Sequence, residues 1–196
     1  MILVLTNYRT GSTNFCKYLA EQNNYTNCDE LFHQLRNDQQ EENINFLKNN
    51  SQTVVKVMPD QILNAKNSNL LELLVELSEK IYVLVRKDLY NQCKSYYVAL
   101  QLENHWHDNF KSTKEITYNK DHWEHSMLFI LDQQKKLIEI VKTLPNFELI
   151  HTHQIPDSVK YHRPVKWDVE PISIDPNLAN LSLDTQFEQL NIDINK

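Results

Sequence analysis

The chain has 196 residues, a formal net charge of −6 and a sequence pI near 5.7. Hydrophobic residues make up 41% and charged residues 23%, proportions that are typical of a folded globular protein and exclude wholesale disorder. The acidic balance argues against nucleic acid or an anionic membrane surface as the main partner, since either requires a basic surface. We therefore expect one domain over residues 1–196 with a substantial core.

The cysteines and the amino terminus predict the compartment. Cys16, Cys28 and Cys93 are an odd set without the spacing of a metal site, which favours reduced thiols in a reducing compartment. The apolar run after Met1 is too short for a signal-peptide core or a membrane span. We expect a soluble, cytoplasmic protein that does not insert into a membrane; the sequence is compatible with a monomer or a homo-oligomer.

Four apolar segments predict the strands of a parallel sheet. They are Ile2–Leu5, Thr53–Met58, Ile81–Arg86 and Phe147–Ile150. Helical spacing of apolar residues predicts helices from Ser12, over Leu70–Leu77, from Asp88 as the cap to Leu100, and from Trp123 to about Leu144. This alternation predicts an α/β domain with a central parallel sheet of about four strands flanked by helices.

The remaining segments carry less regular patterns. Polar residues dominate from Glu21 to Leu47, where we expect loops and one or two surface helices, and residues 104–121 predict a loop. Four prolines, at positions 156, 164, 171 and 176, interrupt the chain after the last predicted strand. They predict an irregular C-terminal wrap with at most a short helix near Thr185–Leu190.

The turn after the first strand contains Gly11, the only glycine in the chain. Glycine permits positive φ and close backbone approach, so we expect it where a side chain does not fit. Ser12 and Thr13 can cap the next helix, whose first amides attract an anion. Arg9 adds a fork of donors shaped for phosphate or sulfate. The turn predicts an oxyanion cradle; a capped strand-to-helix turn with a surface arginine is the alternative.

In parallel sheets, ligands bind at the carboxyl ends of the strands. This rule places the turn at residues 8–13, Met58 and Arg86 around one crevice. Lys56 lies within an apolar strand, where an unpaired charge is costly, so we expect it to reach the crevice. The alternatives are an edge-strand lysine that opposes aggregation, and an Arg86 that merely ends its strand in solvent.

Several of these segments resemble one enzyme family. The turn Arg9-Thr10-Gly11-Ser12-Thr13, and the strand end Val85-Arg86-Lys87-Asp88 followed by Ser95, resemble the sulfotransferases that use 3′-phosphoadenosine 5′-phosphosulfate (PAPS). The segments at residues 27–32 and 55–61 resemble short motifs of the bacterial trehalose sulfotransferase branch. These matches cover roughly the first hundred residues, in the expected order along strands and helices.

The resemblance implies a P-loop-like turn that binds the phosphosulfate, and an arginine and a serine that hold the 3′-phosphate. The implied donor-binding residues are Arg9, Thr10, Gly11, Ser12, Thr13, Asn14, Arg86 and Ser95. It further implies transfer of a sulfuryl group from PAPS to a hydroxyl, or an amine, of a small-molecule, lipid or carbohydrate acceptor. The product is 3′-phosphoadenosine 5′-phosphate (PAP), and no metal is expected.

The catalytic residues implied by the resemblance are Glu30, Arg9 and Lys56. Cytosolic sulfotransferases carry a catalytic histidine two residues after the matched lysine, but this chain has Met58 there, so Glu30 is the expected base. A carboxylate that favours a helix start is the alternative for Glu30. The basic motif that closes over the nucleotide in cytosolic members is absent, and Lys160, Arg163 or Lys166 could replace it.

Two other functions compete with sulfuryl transfer. A nucleotide kinase or NTPase needs a lysine after a second loop glycine and an acidic metal ligand; the turn lacks that lysine, and Asp60 is a poor candidate ligand. A non-catalytic module could also retain an anion pocket. The paired histidines, such as His122 and His125, have a spacing that zinc permits, yet surface or substrate-lining roles fit them better.

Overall fold

A computed structural model describes residues 1–33, 38–101 and 116–156. Five strands alternate with six helices over these ranges. The strands are β1 (Ile2–Thr6), β2 (Thr26–Asp29), β3 (Thr53–Val57), β4 (Lys80–Val85) and β5 (Glu148–His151). The helices are α1 (Ser12–Asn23), α2 (Gln40–Asn49), α3 (Pro59–Leu63), α4 (Leu70–Glu76), α5 (Leu89–Gln101) and α6 (Lys120–Val141). A short 3₁₀ turn, Thr152–Gln154, follows β5.

All five strands form one parallel sheet in the order β2-β3-β1-β4-β5. The first strand is therefore central, with Leu3 paired to Val55 on one side and to Ile81 on the other. Every residue of β1 is buried, as its unbroken apolar run requires of a strand covered on both faces. Because all strands run the same way, their carboxyl ends meet along one edge.

The sheet separates two apolar layers. Helix α1 covers one face, where Phe15, Cys16 and Leu19 pack on Val4 and Leu84. Residues of α2, α4 and α6 cover the other face together with the alternate side chains of β1, β3 and β4. A third cluster joins α5 to α6 around Tyr97 and Trp123, whose rings meet edge to face. These layers hold the strand ends, and the residues that follow them, in fixed relative positions.

The prediction of an α/β fold with a central parallel sheet flanked by helices is confirmed, but the sheet has five strands rather than four. The additional strand, β2, has the sequence Thr-Asn-Cys-Asp and is only partly buried. It lies at the edge of the sheet, where it forms backbone hydrogen bonds with one neighbouring strand, β3. A polar edge strand of this kind lacks the apolar run by which the other strands are recognised.

The helix predictions are confirmed with shifted ends. Asp88 accepts the amide of Asn91 at 3.0 Å, which is the cap predicted for α5. Helix α6 begins three residues earlier than predicted because Asn119 caps it by accepting the amide of His122. The short helix α3 was not predicted. The predicted C-terminal wrap, the Thr185–Leu190 helix and most of the 104–121 loop lie outside the described residues.

The thiols differ in accessibility, which yields a first prediction. Cys16 and Cys93 are fully buried, and burial raises the pKa of each thiol to about 12. Cys28 is partly exposed on β2. With a thiol reagent at pH 8 we expect Cys28 to react first in the native protein, and all three to react after denaturation. Reaction of Cys16 in the native state, identified by peptide mass spectrometry, would contradict the packing of α1.

In the described ranges, no helix combines the length and the apolar character that crossing a bilayer requires.

Candidate functional site

The candidate site lies along the edge formed by the carboxyl ends of the strands. The loop at residues 7–11 follows β1, Glu30 follows β2, α3 follows β3, Arg86 follows β4 and Thr152 follows β5. The loop connects to residues after β4 and β5 by hydrogen bonds, and α1, which begins at its end, connects to Lys56 of β3. The predicted grouping of these segments at one edge of the sheet is therefore present.

The loop contains two residues with left-handed backbone, Arg9 at φ 61° and Gly11 at φ 84°. A β-carbon on Gly11 would meet only the Thr152 methyl group at 3.8 Å, an ordinary contact. The positive φ, rather than the lack of space that we expected, is therefore what favours glycine here. At Arg9 the same conformation costs about 1 kcal/mol or more, so surrounding contacts must impose it.

The predicted capping by Ser12 and Thr13 is wrong. Gly11 occupies the N-cap position of α1, and no side chain caps the helix there. Ser12 is already the first helical residue, so its hydroxyl is past the position from which a cap bonds. The amides of Ser12, Thr13 and Asn14 have no carbonyl partner within the helix, as at every helix start. They make the beginning of α1 favourable for an anion.

Side chains from around the loop bind its carbonyl oxygens. The hydroxyl of Thr10 donates to the Asn7 carbonyl at 3.1 Å, and Gln92 on α5 donates to the Tyr8 carbonyl at 2.6 Å. The Arg86 guanidinium donates to the Arg9 carbonyl at 3.2 Å. Thr152 donates to the Thr10 carbonyl at 2.8 Å. Four successive carbonyl groups are thus engaged by surrounding donors.

Engaging the carbonyls has an electrostatic consequence. The negative ends of these peptide dipoles are occupied by protein donors and do not repel an anion bound at the loop. Thr10 itself is fully buried, and its hydroxyl lies 2.6 Å from that of Thr6. Thr10 is among the residues expected to bind PAPS, but with its side chain buried it can offer a ligand only its backbone groups.

Arg9, Arg86 and Ser95 come together from three elements. The Nε of Arg9 donates to Oγ of Ser95 on α5 at 3.0 Å, while Arg86 contacts the Arg9 backbone. Arg86 and Ser95 therefore contact the same residue, Arg9, one at its backbone and the other at its side chain. The family resemblance predicts roles for all three residues: Arg9 at the phosphosulfate, and Arg86 and Ser95 at the 3′-phosphate.

Arg86 is half-buried, and burial lowers the pKa of its guanidinium. Among the residues that the structure describes, its one hydrogen bond goes to the Arg9 carbonyl, and no carboxylate lies within 4.0 Å of it. A guanidinium has five donors, so several are left for a ligand. A partly desolvated cation without an ion pair favours an anionic partner.

Lys56 organises the other side of the site. It is 1% exposed, and its ammonium contacts Asp29 at 2.7 Å, Glu30 at 2.9 Å and the Thr13 hydroxyl at 2.8 Å. Its charge is therefore paired inside the protein, next to the start of α1. The edge-strand alternative is wrong, because β3 lies between β2 and β1. One ammonium thus links the start of α1 to two carboxylates.

Glu30 comes directly after β2 and is followed by a turn, so the helix-start alternative is wrong. Its two carboxylate oxygens have different partners. Oε1 contacts Lys56 at 2.9 Å, and Oε2 accepts a hydrogen bond from Nε2 of Gln61 at 3.1 Å. These two contacts hold the side chain in place. It is still 26% exposed, so a ligand can reach it.

An aromatic wall borders the acidic side. The hydroxyl of Tyr8 donates to Oδ2 of Asp60 at 2.9 Å. Burial, and then the Asp60 carboxylate, raise the pKa of Tyr8 well above its usual range, so this hydroxyl stays protonated at neutral pH. The Tyr8 ring packs against Tyr96 and Phe129, which stack at 4.8 Å. Asp60, the poor candidate for a metal ligand, instead holds the tyrosine.

Three residues that the sequence reading missed support the site. Gln92 and Thr152 hold the loop, and Gln61 holds Glu30. Thr152 directly follows a strand, so the carboxyl-end rule could have identified it. Gln61 and Gln92 carry no such signal, because a single glutamine on a helix has no recognisable pattern.

Some predicted residues cannot be placed. Lys160, Arg163 and Lys166 lie outside the described residues. In the part of the chain that is described, no group of three His, Cys, Asp or Glu side chains is arranged to hold a metal ion.

Neither a known protein family nor a curated protein matches the sequence.

Proposed function

We propose that the protein is a PAPS-dependent sulfotransferase. In this proposal the loop after β1 and the start of α1 bind the phosphosulfate, Arg86 and Ser95 bind the 3′-phosphate, and Glu30 activates the acceptor. The acceptor is a hydroxyl, or an amine, of a small molecule, lipid or carbohydrate.

The proposal depends on one observation: Arg86 is half-buried and forms no ion pair with a described residue. Its half-buried guanidinium has no carboxylate within ion-pairing distance in the described ranges, and it lies against the loop beside Arg9. Ser95 adds a hydroxyl from α5, which accepts a hydrogen bond from Arg9. A phosphate ester would supply Arg86 with negative charge and with acceptor oxygens.

The loop after β1 and the start of α1 suit the other anionic group of PAPS, the phosphosulfate. The amides of Ser12, Thr13 and Asn14 begin a helix of 12 residues without a side-chain cap, and the loop carbonyls are bound by surrounding donors. These amide N–H groups are held in position by the fold. They can therefore stabilise the negative charge that grows on the leaving phosphate without reorganising during the reaction. Arg9 adds a permanent charge at the same loop.

Glu30 accepts the proton of the acceptor in this proposal. As the acceptor oxygen bonds to sulfur, the bond from sulfur to the phosphate oxygen breaks, and the acceptor proton passes to the Glu30 carboxylate. The products are the sulfate ester, PAP and, after Glu30 releases it, a proton. Lys56 contacts both Glu30 and Thr13, so it links the proposed base to the proposed donor loop.

A thermal-shift measurement tests the proposed ligand. PAP at a hundredfold excess over its Kd should raise Tm by about 5–10 °C, because a ligand that binds only the folded state stabilises it by mass action. ATP with magnesium is the matched comparison. The Arg86→Met variant should lose most of the PAP shift, since it removes the cation and keeps an unbranched apolar stem.

Two results would overturn this assignment. Preference for ATP with magnesium over PAP would favour a nucleotide kinase. A PAP shift that is unchanged in Arg86→Met, with Lys87→Met as the control on an exposed neighbour, would separate the anion site from Arg86.

A further inference from the structure

Gln61 connects the backbone of the β3–α3 junction to the proposed base. It is 3% exposed and lies on the short helix α3. Its Oε1 accepts the Met58 amide at 3.1 Å, and its Nε2 donates to Oε2 of Glu30 at 3.1 Å. The two ends of one side-chain amide thus have partners of opposite kinds.

The Met58 contact determines which way the amide faces. A backbone N–H can only donate, so the atom of Gln61 that meets it must be the oxygen. The nitrogen is then directed at Glu30, where it can only donate. The carboxylate of Glu30 therefore lies between two donors, Gln61 on one oxygen and Lys56 on the other.

We propose that Gln61 is a positioning residue for Glu30: it holds one oxygen of the carboxylate with a neutral donor and so orients the group toward the acceptor. This inference rests on the proposed function for its catalytic meaning. The hydrogen bond itself, and its dependence on an amide at position 61, can be tested without activity.

Glutamate at position 61 separates this role from simple helix capping. Glutamine and glutamate serve equally at the third position of a capping box, so Gln61→Glu keeps an acceptor for the Met58 amide. It replaces the donor that faces Glu30 with a second carboxylate. The site is buried, so a carboxylate there has a desolvation cost of its own. If Gln61 only caps α3, that cost should be the same whether residue 30 is Glu or Gln.

The other charged and titratable groups around Glu30 come from several elements. Lys56 on β3 and Asp29 on β2 contact one another beside it, and Tyr8 of the loop and Cys16 on α1 interact with it electrostatically. Only position 61 changes in this test. A shift in the pH dependence of Gln61→Glu therefore reports the new pair of carboxylates, which hold a proton to higher pH than one carboxylate alone.

The first experiment is a stability cycle that needs no substrate. Gln61→Glu should lower Tm by about 2–4 °C at pH 8, which corresponds to roughly 1 kcal/mol in a chain of this size. In the Glu30→Gln background the same change should cost less, because the amide at position 30 can donate to the carboxylate at position 61. Gln22→Glu, on the exposed face of α1, controls for the added charge.

The second experiment measures turnover. Gln61→Met should lower kcat by up to about 100-fold with little change in the KM for PAPS, because misplacing a reacting group affects the chemical step. Gln61→Glu should also move the acidic limb of the kcat profile to higher pH. An equal Tm loss for Gln61→Glu in the unmodified and the Glu30→Gln backgrounds, with an unchanged pH profile, would reduce Gln61 to a helix cap and overturn the inference.

The outcomes distinguish the two proposals. A protein without sulfuryl transfer or PAP binding, but with the predicted coupling in the stability cycle, would refute the enzymatic proposal and retain the Glu30 contact. Normal sulfuryl transfer without coupling between positions 30 and 61 would support the enzymatic proposal and refute the role of Gln61.

Discussion

Replacing Glu30 with glutamine should lower turnover by about 10²- to 10⁴-fold while the affinity for PAP stays within about twofold. Glutamine has the same size and can still accept from Lys56, but it cannot take a proton from the acceptor. Asp29 remains at 2.7 Å from the ammonium, so the variant keeps one ion pair and should fold. Steady-state kinetics and a PAP binding isotherm on the same preparation check both halves of the expectation.

The matched control is Glu21→Gln, on the exposed surface of α1, which removes one negative charge far from the strand ends. It should be indistinguishable from the unmodified protein. Unchanged turnover in Glu30→Gln would mean that another group takes the proton. A parallel loss of PAP affinity and Tm would instead make Glu30 a structural partner of Lys56.

Lys56→Met should destabilise the protein by about 3 kcal/mol and lower Tm by roughly 6–12 °C. Methionine fills the apolar part of the lysine site, but Asp29 and Glu30 are left side by side without the ammonium. The cost lies at the lower end for a broken buried ion pair because these carboxylates are 48% and 26% exposed, so water screens part of their repulsion. Urea and thermal unfolding measure it.

The triple variant Lys56→Met, Asp29→Asn, Glu30→Gln is the control for this prediction. It removes the two carboxylates together with the cation and should recover most of the lost stability, since neutral amides do not repel each other. A single variant as stable as the unmodified protein would show that the ion-pair cluster contributes nothing to folding.

The same cluster gives the stability a defined pH dependence. Burial alone would lower the pKa of Lys56, but Glu30 and Asp29 outweigh burial and raise it above the ordinary value of 10.5. Folding therefore favours the protonated amine. Its contribution is complete below pH 10.5 and declines as the pH rises through the folded-state pKa. The stability difference between the unmodified protein and Lys56→Met should shrink over that alkaline range.

Much of the fold follows from local patterns. The run Ile2–Leu5 is apolar on both faces, and a strand of that kind is stable only when helices cover the sheet on both sides. The edge strand β2 lacks such a run, because it is only partly buried and pairs with β3 alone. The sequence therefore predicted four strands, including the other edge strand β5, and missed β2.

The candidate site divides in a similar way. Arg9, Gly11 and Arg86 were recognisable because each combines an unusual residue type with a position at a strand end. Gln61, Gln92 and Thr152 were not, because the partners of a polar side chain depend on which distant backbone atoms the fold brings within hydrogen-bonding distance.

By itself, the sequence determined that this is an α/β chain whose polar residues gather at the carboxyl ends of parallel strands. Hydrophobic periodicity is a local property, and it survives any arrangement of the elements. Only the tertiary structure decided that Lys56 joins Asp29, Glu30 and Thr13, and that Arg86 lacks a carboxylate among the described residues. Charge pairing is a matter of a few ångströms between residues far apart in the chain, and strand order sets those distances.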